Sequence, residues 1–449
     1  MCSKFQKIYP ILIIMMLYGT VGWAQEPARL SLEQAIEYAY DQSTEVKNAR
    51  ISLLDAQEQI IERRSTGLPQ LSAEVSFQRY LQVPKQPLPD AFIQFLEQLN
   101  PNGEVEREAS FFLKNNFTAA LNLDAMIFDG TYFLGLRAAR TFRDYTEQEL
   151  STVKREVHNA VLDAYLPVLA AQENIDILRK NIQNMEELLY ETRELYKEGF
   201  AEQLDVDRQQ LSVNNLKVEL ENQERQEEVA VTRLKYTIGF PIDQPLELTE
   251  DLEEMVVDID ESKLTEQVNP RARAEFLLAE KGIELNEMNV KVNKAAYLPR
   301  LSGFAAYQHS YQGNNFKDGF WAPTTYVGLR LAIPIFDGLY KQSQVERARL
   351  GLEEIQNQKR DLERAIRLEV KNARTSYLNA RQELVSQRSN LDLAERIYET
   401  TQIKYREGVG SSVELTQAEQ SLFQAQSNYI NALYNVLAAK LDLEMALGQ

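Results

Sequence analysis

Few residues of this chain are of the types that make and break bonds. His158 and His309 are the only histidines and Cys2 the only cysteine. No HExxH or CxxC arrangement therefore exists to hold a metal or to run thiol chemistry. Neither a G-x-x-x-x-G-K-[ST] phosphate loop nor a G-x-S-x-G nucleophile turn occurs. No catalytic, cofactor-binding or metal-binding residues are assigned, and the reading is of a protein that is not an enzyme. Carboxylates abound, but in a chain with 26% charged residues most of them solvate helix surfaces. Asp205, Asp207 and Glu414 differ in where they fall. Each comes just after a glycine, Gly199 or Gly408, and opens an amphipathic segment. Acids in the first turn of a helix meet unpaired amides and the positive end of the dipole.

The elements that place those acids are written twice. Leu68-Pro69-Gln70-Leu71 returns as Leu298-Pro299-Arg300-Leu301, Phe128-Asp129-Gly130 as Phe336-Asp337-Gly338, and Tyr196-Lys197-Glu198-Gly199 as Tyr405-Arg406-Glu407-Gly408. Order is kept, so two tandem copies of one supersecondary unit are expected. Each reads helix, alternating hairpin, very long helix, tip, shorter helix. The copies are placed at 25–239 and 263–449, joined by an acidic connector at 240–262 that belts the middle.

Residues 1–24 carry Lys4 and Lys7, then an apolar run from Tyr9 to Tyr18, then Gly22-Trp23-Ala24. This is the pattern of a secretory signal peptide cut after Ala24. Cleavage removes the only cysteine and makes the net charge more negative than the −18 of the full chain, a surface that repels nucleic acid. The rest of the chain has no run of ~18 apolar residues, so a bilayer crossing must use strands.

Strands are there to be read. Phe117, Ala119, Leu121, Leu123, Ala125 and Ile127 alternate with Asn116, Thr118, Ala120, Asn122, Asp124 and Met126, one face apolar and the other mainly polar. Leu71 to Gln82, Leu301 to Tyr311 and Tyr326 to Ile335 repeat the pattern. Four such strands lack anything of matching length to cover their apolar faces, and they suit a tilted bilayer crossing of ~9–11 residues. Open edges are not tolerated in lipid, so strands of other copies must close the sheet. The first hairpin is about 22 residues longer than the second. Phe92, Phe95, Leu96 and Leu99 in that excess have helical spacing, which predicts a short amphipathic helix over the mouth.

Between Gly130 and Gly199 one glycine and one proline interrupt about seventy residues, an unbroken helix of about 100 Å. Ile175, Leu178, Ile182, Met185, Leu189, Thr192 and Tyr196 form a heptad seam along it. Gly338 to Gly408 reads alike. Shorter helices are expected at Leu32 to Arg64 and Leu264 to Ala296 before the strands, and at Leu204 to Ile238 and Val413 to Leu447 after the tips.

These residues, twice and in order, closely resemble the TolC family of outer-membrane efflux proteins. The resemblance covers essentially the whole chain after the leader. It implies a mainly α fold with membrane β-hairpins: a homotrimer with a 12-stranded β-barrel in the Gram-negative outer membrane, continued by a periplasmic α-helical barrel. Its implied role is the exit duct of a tripartite efflux pump or type I secretion system, fed by an inner-membrane transporter through a periplasmic adaptor protein. It also implies a gate at the tips, with Asp205 held by Tyr405 and an arginine nearby. That arginine position is Gly410 here, while Glu414 matches one of two constriction acids and Gln417 replaces the other. Gly199 and Gly408 mark the tips. The alternative from another class is a soluble periplasmic coiled-coil scaffold capped by β-hairpins.

Overall fold

The computed structural model describes residues 28–100, 103–110, 112–256 and 264–449. The expected leader with Cys2 and part of the expected acidic connector lie outside these. The first half contains β1 (Ala28–Leu30), α1 (Leu32–Gln42), α2 (Thr44–Ser65), β2 (Gln70–Arg79), β3 (Gln86–Pro87), α3 (Asp90–Leu99), β4 (Glu108–Ala109), β5 (Asn115–Asp129), α4 (Gly130–Lys197) and α5 (Gln203–Ile238). After it come β6 (Leu246–Leu248), α6 (Leu252–Met255), α7 (Ala274–Ala295), β7 (Arg300–Gly313), β8 (Phe320–Ala332), α8 (Tyr340–Arg406) and α9 (Ser412–Leu447). Two compact units cut across the sequence repeats. One takes the residues up to Lys47 with Val153–Val268 and Leu368–Gln449, the other Asn48–Thr152 with Asn269–Arg367.

The second unit holds a four-stranded antiparallel sheet in the order β2-β5-β7-β8. Its register separates two chemistries. Phe77, Phe117, Tyr311 and Trp321 are cross-strand partners in one row; Val75, Ala119, His309 and Pro323 form the next; Leu71, Leu123, Ala305 and Val327 lie deeper on the same face. The opposite face presents Gln78, Asn116 and Gln312, then Ser76, Thr118 and Ser310, then Glu74 and Gln308. From Phe117 to Ile127 the apolar face runs about 25 Å once a barrel strand's usual tilt is applied. The aromatic row ends it, its rings in contact: Phe117 and Tyr311 lie 5.8 and 5.3 Å from Trp321. β2 and β8 each have one unpaired edge within the chain. Among the described residues no helix is long and apolar enough to cross a membrane.

In the first unit the tip end packs Ile182, Met185, Leu188, Leu189, Val206, Val213, Leu216 and Leu415 into one apolar cluster. A second cluster gathers Val370, Tyr377, Val436 and Leu443. β1 pairs with β6 in parallel. The Glu250 carboxylate accepts from the Tyr165 hydroxyl at 2.9 Å and the Leu32 amide at 3.0 Å, fastening the start of α1.

Both long helices form unbroken, at 68 and 67 residues, and α4 passes through Pro167. Several expected bounds shift, and the strand read to Gln82 already ends at Arg79. The helix from Leu32 to Arg64 divides at Ser43, whose backbone is extended and whose hydroxyl accepts from the Val46 amide at 3.3 Å to cap α2. The helix expected from Leu264 begins only at Ala274, because Asn269-Pro270 holds a separate 3-10 turn. The strand read to Ile335 stops at Ala332, paired with Arg300 at the start of β7; Pro334 has no amide to extend the ladder. The predicted helix in the longer hairpin exists as α3, but its buried residue is Ile93, whereas Phe92, Phe95 and Leu99 are exposed.

Candidate functional site at the helix tips

Each long helix ends the same way. Gly199 and Gly408 adopt φ of +80° and +70°, the left-handed region that any Cβ disfavours. The Gly199 amide donates to the Tyr196 carbonyl at 3.1 Å and the Phe200 amide to Leu195 at 2.8 Å; Gly408 and Val409 repeat this on Tyr405 and Lys404 at 3.0 and 2.9 Å. The paired bonds satisfy carbonyls that the helix end would otherwise orphan. The chain reverses within a few residues, and α5 and α9 begin.

The acids singled out by sequence occupy those beginnings. Asp205 accepts from the Glu202 backbone amide at 3.1 Å and lies 3.7 Å from the Arg208 guanidinium. Asp207 is exposed and accepts from the Gln203 side-chain amide at 2.8 Å. Glu414 is exposed, and its backbone amide donates to the capping Ser411 hydroxyl at 3.2 Å. Tyr405 is buried. Its hydroxyl makes no hydrogen bond of ordinary geometry, to Asp205 or elsewhere, although it lies within reach of Thr192. Burial raises its pKa above the usual tyrosine value. At position 410 the glycine amide joins Val409 in capping the Lys404 carbonyl at 2.9 Å.

Arginines elsewhere tie the two tips together. Arg208 on α5 donates to the Ser412 hydroxyl at 2.8 Å, and Arg406 at the end of α8 pairs with Glu191 on α4 at 2.8 Å. Below them Asn181 on α4 donates to the Gln426 side-chain oxygen on α9 at 2.7 Å. Sequence reasoning missed these ties, since an arginine among many on a helix surface carries no mark of its partner.

It also missed a buried polar group. Thr192 on α4, Gln209 on α5, Tyr405 on α8 and Glu419 on α9 are all 8% exposed or less. Each stands on an apolar seam: Gln209 between Val206 and Val213, Glu419 between Leu415 and Leu422. A polar residue interrupting a seam was the available signal. Among the described residues no cluster of three histidines, cysteines or acids could hold a metal.

The model of the family described as outer membrane efflux protein matches residues 35–239 and 271–449. The pyoverdine export outer membrane protein OpmQ of Pseudomonas putida is 24% identical, over 95% of this chain and 87% of its own length. Outer membrane protein TolC of Escherichia coli is 23% identical, over 99% and 86%. The solved structure of CusC shares the fold with a TM-score of 0.72 at 17% identity, covering 99% of this chain and 98% of that one. A family match over most of the sequence, on a two-faced sheet joined to paired long helices, places this chain in the outer membrane efflux protein family, as an outer-membrane channel for efflux or secretion.

Proposed function

We propose that three copies close their sheets into one barrel and form a passive duct, with no catalytic step, held shut at its periplasmic tips until a transporter and its adaptor dock. The observation that carries this reading is the sheet itself, apolar on one face, polar on the other and open at both edges. Unpaired strand edges cannot remain in lipid, so copies must join edge to edge. Relatives are named for pyoverdine export, alkaline protease secretion and toluene efflux. Such a range suits a lumen lined mainly by uncharged polar side chains and driven from its far end.

Closure at the tips is assigned to the ties between the two hairpins. Arg208 takes the part of the arginine absent at position 410, joining Asp205 to Ser412, and Arg406 with Glu191 adds a second link. Tyr405 supports the tip from within the packing, while Asp207 and Glu414 supply exposed negative charge that favours cations at the constriction. In planar bilayers Arg208→Ala combined with Arg406→Ala should raise the open fraction of the trimeric channel, and Glu414→Gln should lower its cation preference. A double variant that stays trimeric and conducts like the parent would sink the tip-gate reading.

A further inference from the structure

The buried polar group beneath the tips is unusual in having more hydrogen-bonding capacity than partners. The Thr192 hydroxyl, both atoms of the Gln209 amide, the Tyr405 hydroxyl and both Glu419 oxygens are buried without a bond of ordinary geometry. They are nonetheless neighbours. Thr192 lies within reach of Tyr405, Gln209 within reach of Glu419, and the Glu419 charge acts on both Tyr405 and Tyr398. All four helices of the tip bundle contribute, one residue each. A carboxylate sealed here without a cation beside it is costly; the Gln209 amide offsets only part of that cost, and the neutral acid can instead donate to the Gln209 oxygen.

We propose that Glu419 is a proton switch: protonated, it completes the polar cluster and locks the four tip helices together; ionised, it loosens them and favours opening. The proposal deepens the tip-gate reading and rests on it. The charged and titratable groups around Glu419 and the two phenols it acts on are few. From α4 comes Glu191, already paired with Arg406 of α8; from α5 Asp205, already beside Arg208; from α8 the phenols of Tyr398 and Tyr405. None offers Glu419 a free cation, so its proton is the means of neutralising it.

Burial pushes the Glu419 carboxyl up to about 7. The sign follows from linkage. A solvated Glu419 in an opened tip loses its proton in the ordinary carboxylate range, while the packed tip keeps its proton to near neutrality. Packing is therefore strongest in acid, weakens as pH rises from the ordinary carboxylate range to about 7, and changes no further once both forms are ionised. Each proton released alters the open-to-closed ratio about tenfold per pH unit within that window.

The test uses the full trimer in planar bilayers between pH 5 and pH 8. The parent's open fraction should climb from pH 5 to about 7 and then level off, and Glu419→Gln, a neutral isostere, should stay closed with no such climb. A parent indifferent to pH, or a Glu419→Gln trimer that keeps the parent's pH profile, overturns the proposal; a cluster that merely fixes helix register would leave the profile unmoved. Infrared difference spectra of the parent give an independent reading: a carboxylic-acid carbonyl band lost between pH 5 and pH 8 and missing in Glu419→Gln supports the switch, and its absence from the parent refutes it. Failure here is distinct from failure of the gate, since channels opened by the Arg208 and Arg406 changes but blind to pH would leave the gate standing.

Discussion

The membrane sheet and the tip bundle treat polar groups in opposite ways. In the sheet most polar side chains fall at alternate positions and share one face, so Glu74, Asn116 and Gln308 face away from Val75, Phe117 and Tyr307. In the bundle, polar groups break apolar seams and are buried, as Gln209 and Glu419 are. Strand periodicity sorts chemistry by face at no structural cost. Helix seams have no second face, so a polar residue there specifies register or carries a function at the expense of stability. One region is built to be insensitive to its contents and the other to be sensitive to a single group.

That contrast is broken most severely by moving polarity to the wrong side of the sheet. Val327 lies deep on the apolar face and is largely exposed in the single chain. Val327→Arg should destabilise the inserted trimer by about 2–4 kcal/mol per chain, read as a lower denaturant midpoint in lipid. Gln308→Arg on the polar face should leave the midpoint nearly unchanged. Equal losses from both would mean that the faces are misassigned.

Next in size is the backbone of the tips. Gly408→Ala should cost about 1–2 kcal/mol, because a left-handed residue acquires a Cβ. The loss should appear as faster hydrogen exchange in 400–415, with the sheet unaffected. Protection unchanged at the tip would show that the turn tolerates another conformation. The smallest effect belongs to α3. Phe95→Ser on its exposed side should alter stability by no more than about 0.5 kcal/mol, whereas Ile93→Ser should expose 86–100 to protease in intact cells. Cleavage of the parent at the same rate would remove any ordered role for that helix.

Much of this was legible in the sequence, for reasons that differ by element. Strand faces and the long helices follow from periods of two and of three to four residues, and those periods are local. The glycines of the tips were legible because the residues around them occur twice, although their left-handed backbone was not read. The break at Ser43 was missed because the apolar spacing continues through it and only the hydroxyl's bond to the Val46 amide declares it. The inward residue of α3 was misread because three exposed hydrophobic side chains outweighed Ile93 in the pattern. The polar cluster depends on four seams, from residues as far apart as Thr192 and Glu419, meeting at one level. Arg208 and Ser412 are likewise joined only by the fold.

The aromatic row has a consequence for how the barrel is made. Phe77, Phe117, Tyr311 and Trp321 line up only in the native register. A slip of one residue in any strand would pull its ring out of the row and would turn that strand's apolar side chains away from lipid. One mistake thus produces two faults, at the membrane boundary and in the hydrocarbon. An incorrectly zipped hairpin therefore carries both faults before its neighbour pairs with it, so the native register is doubly specified.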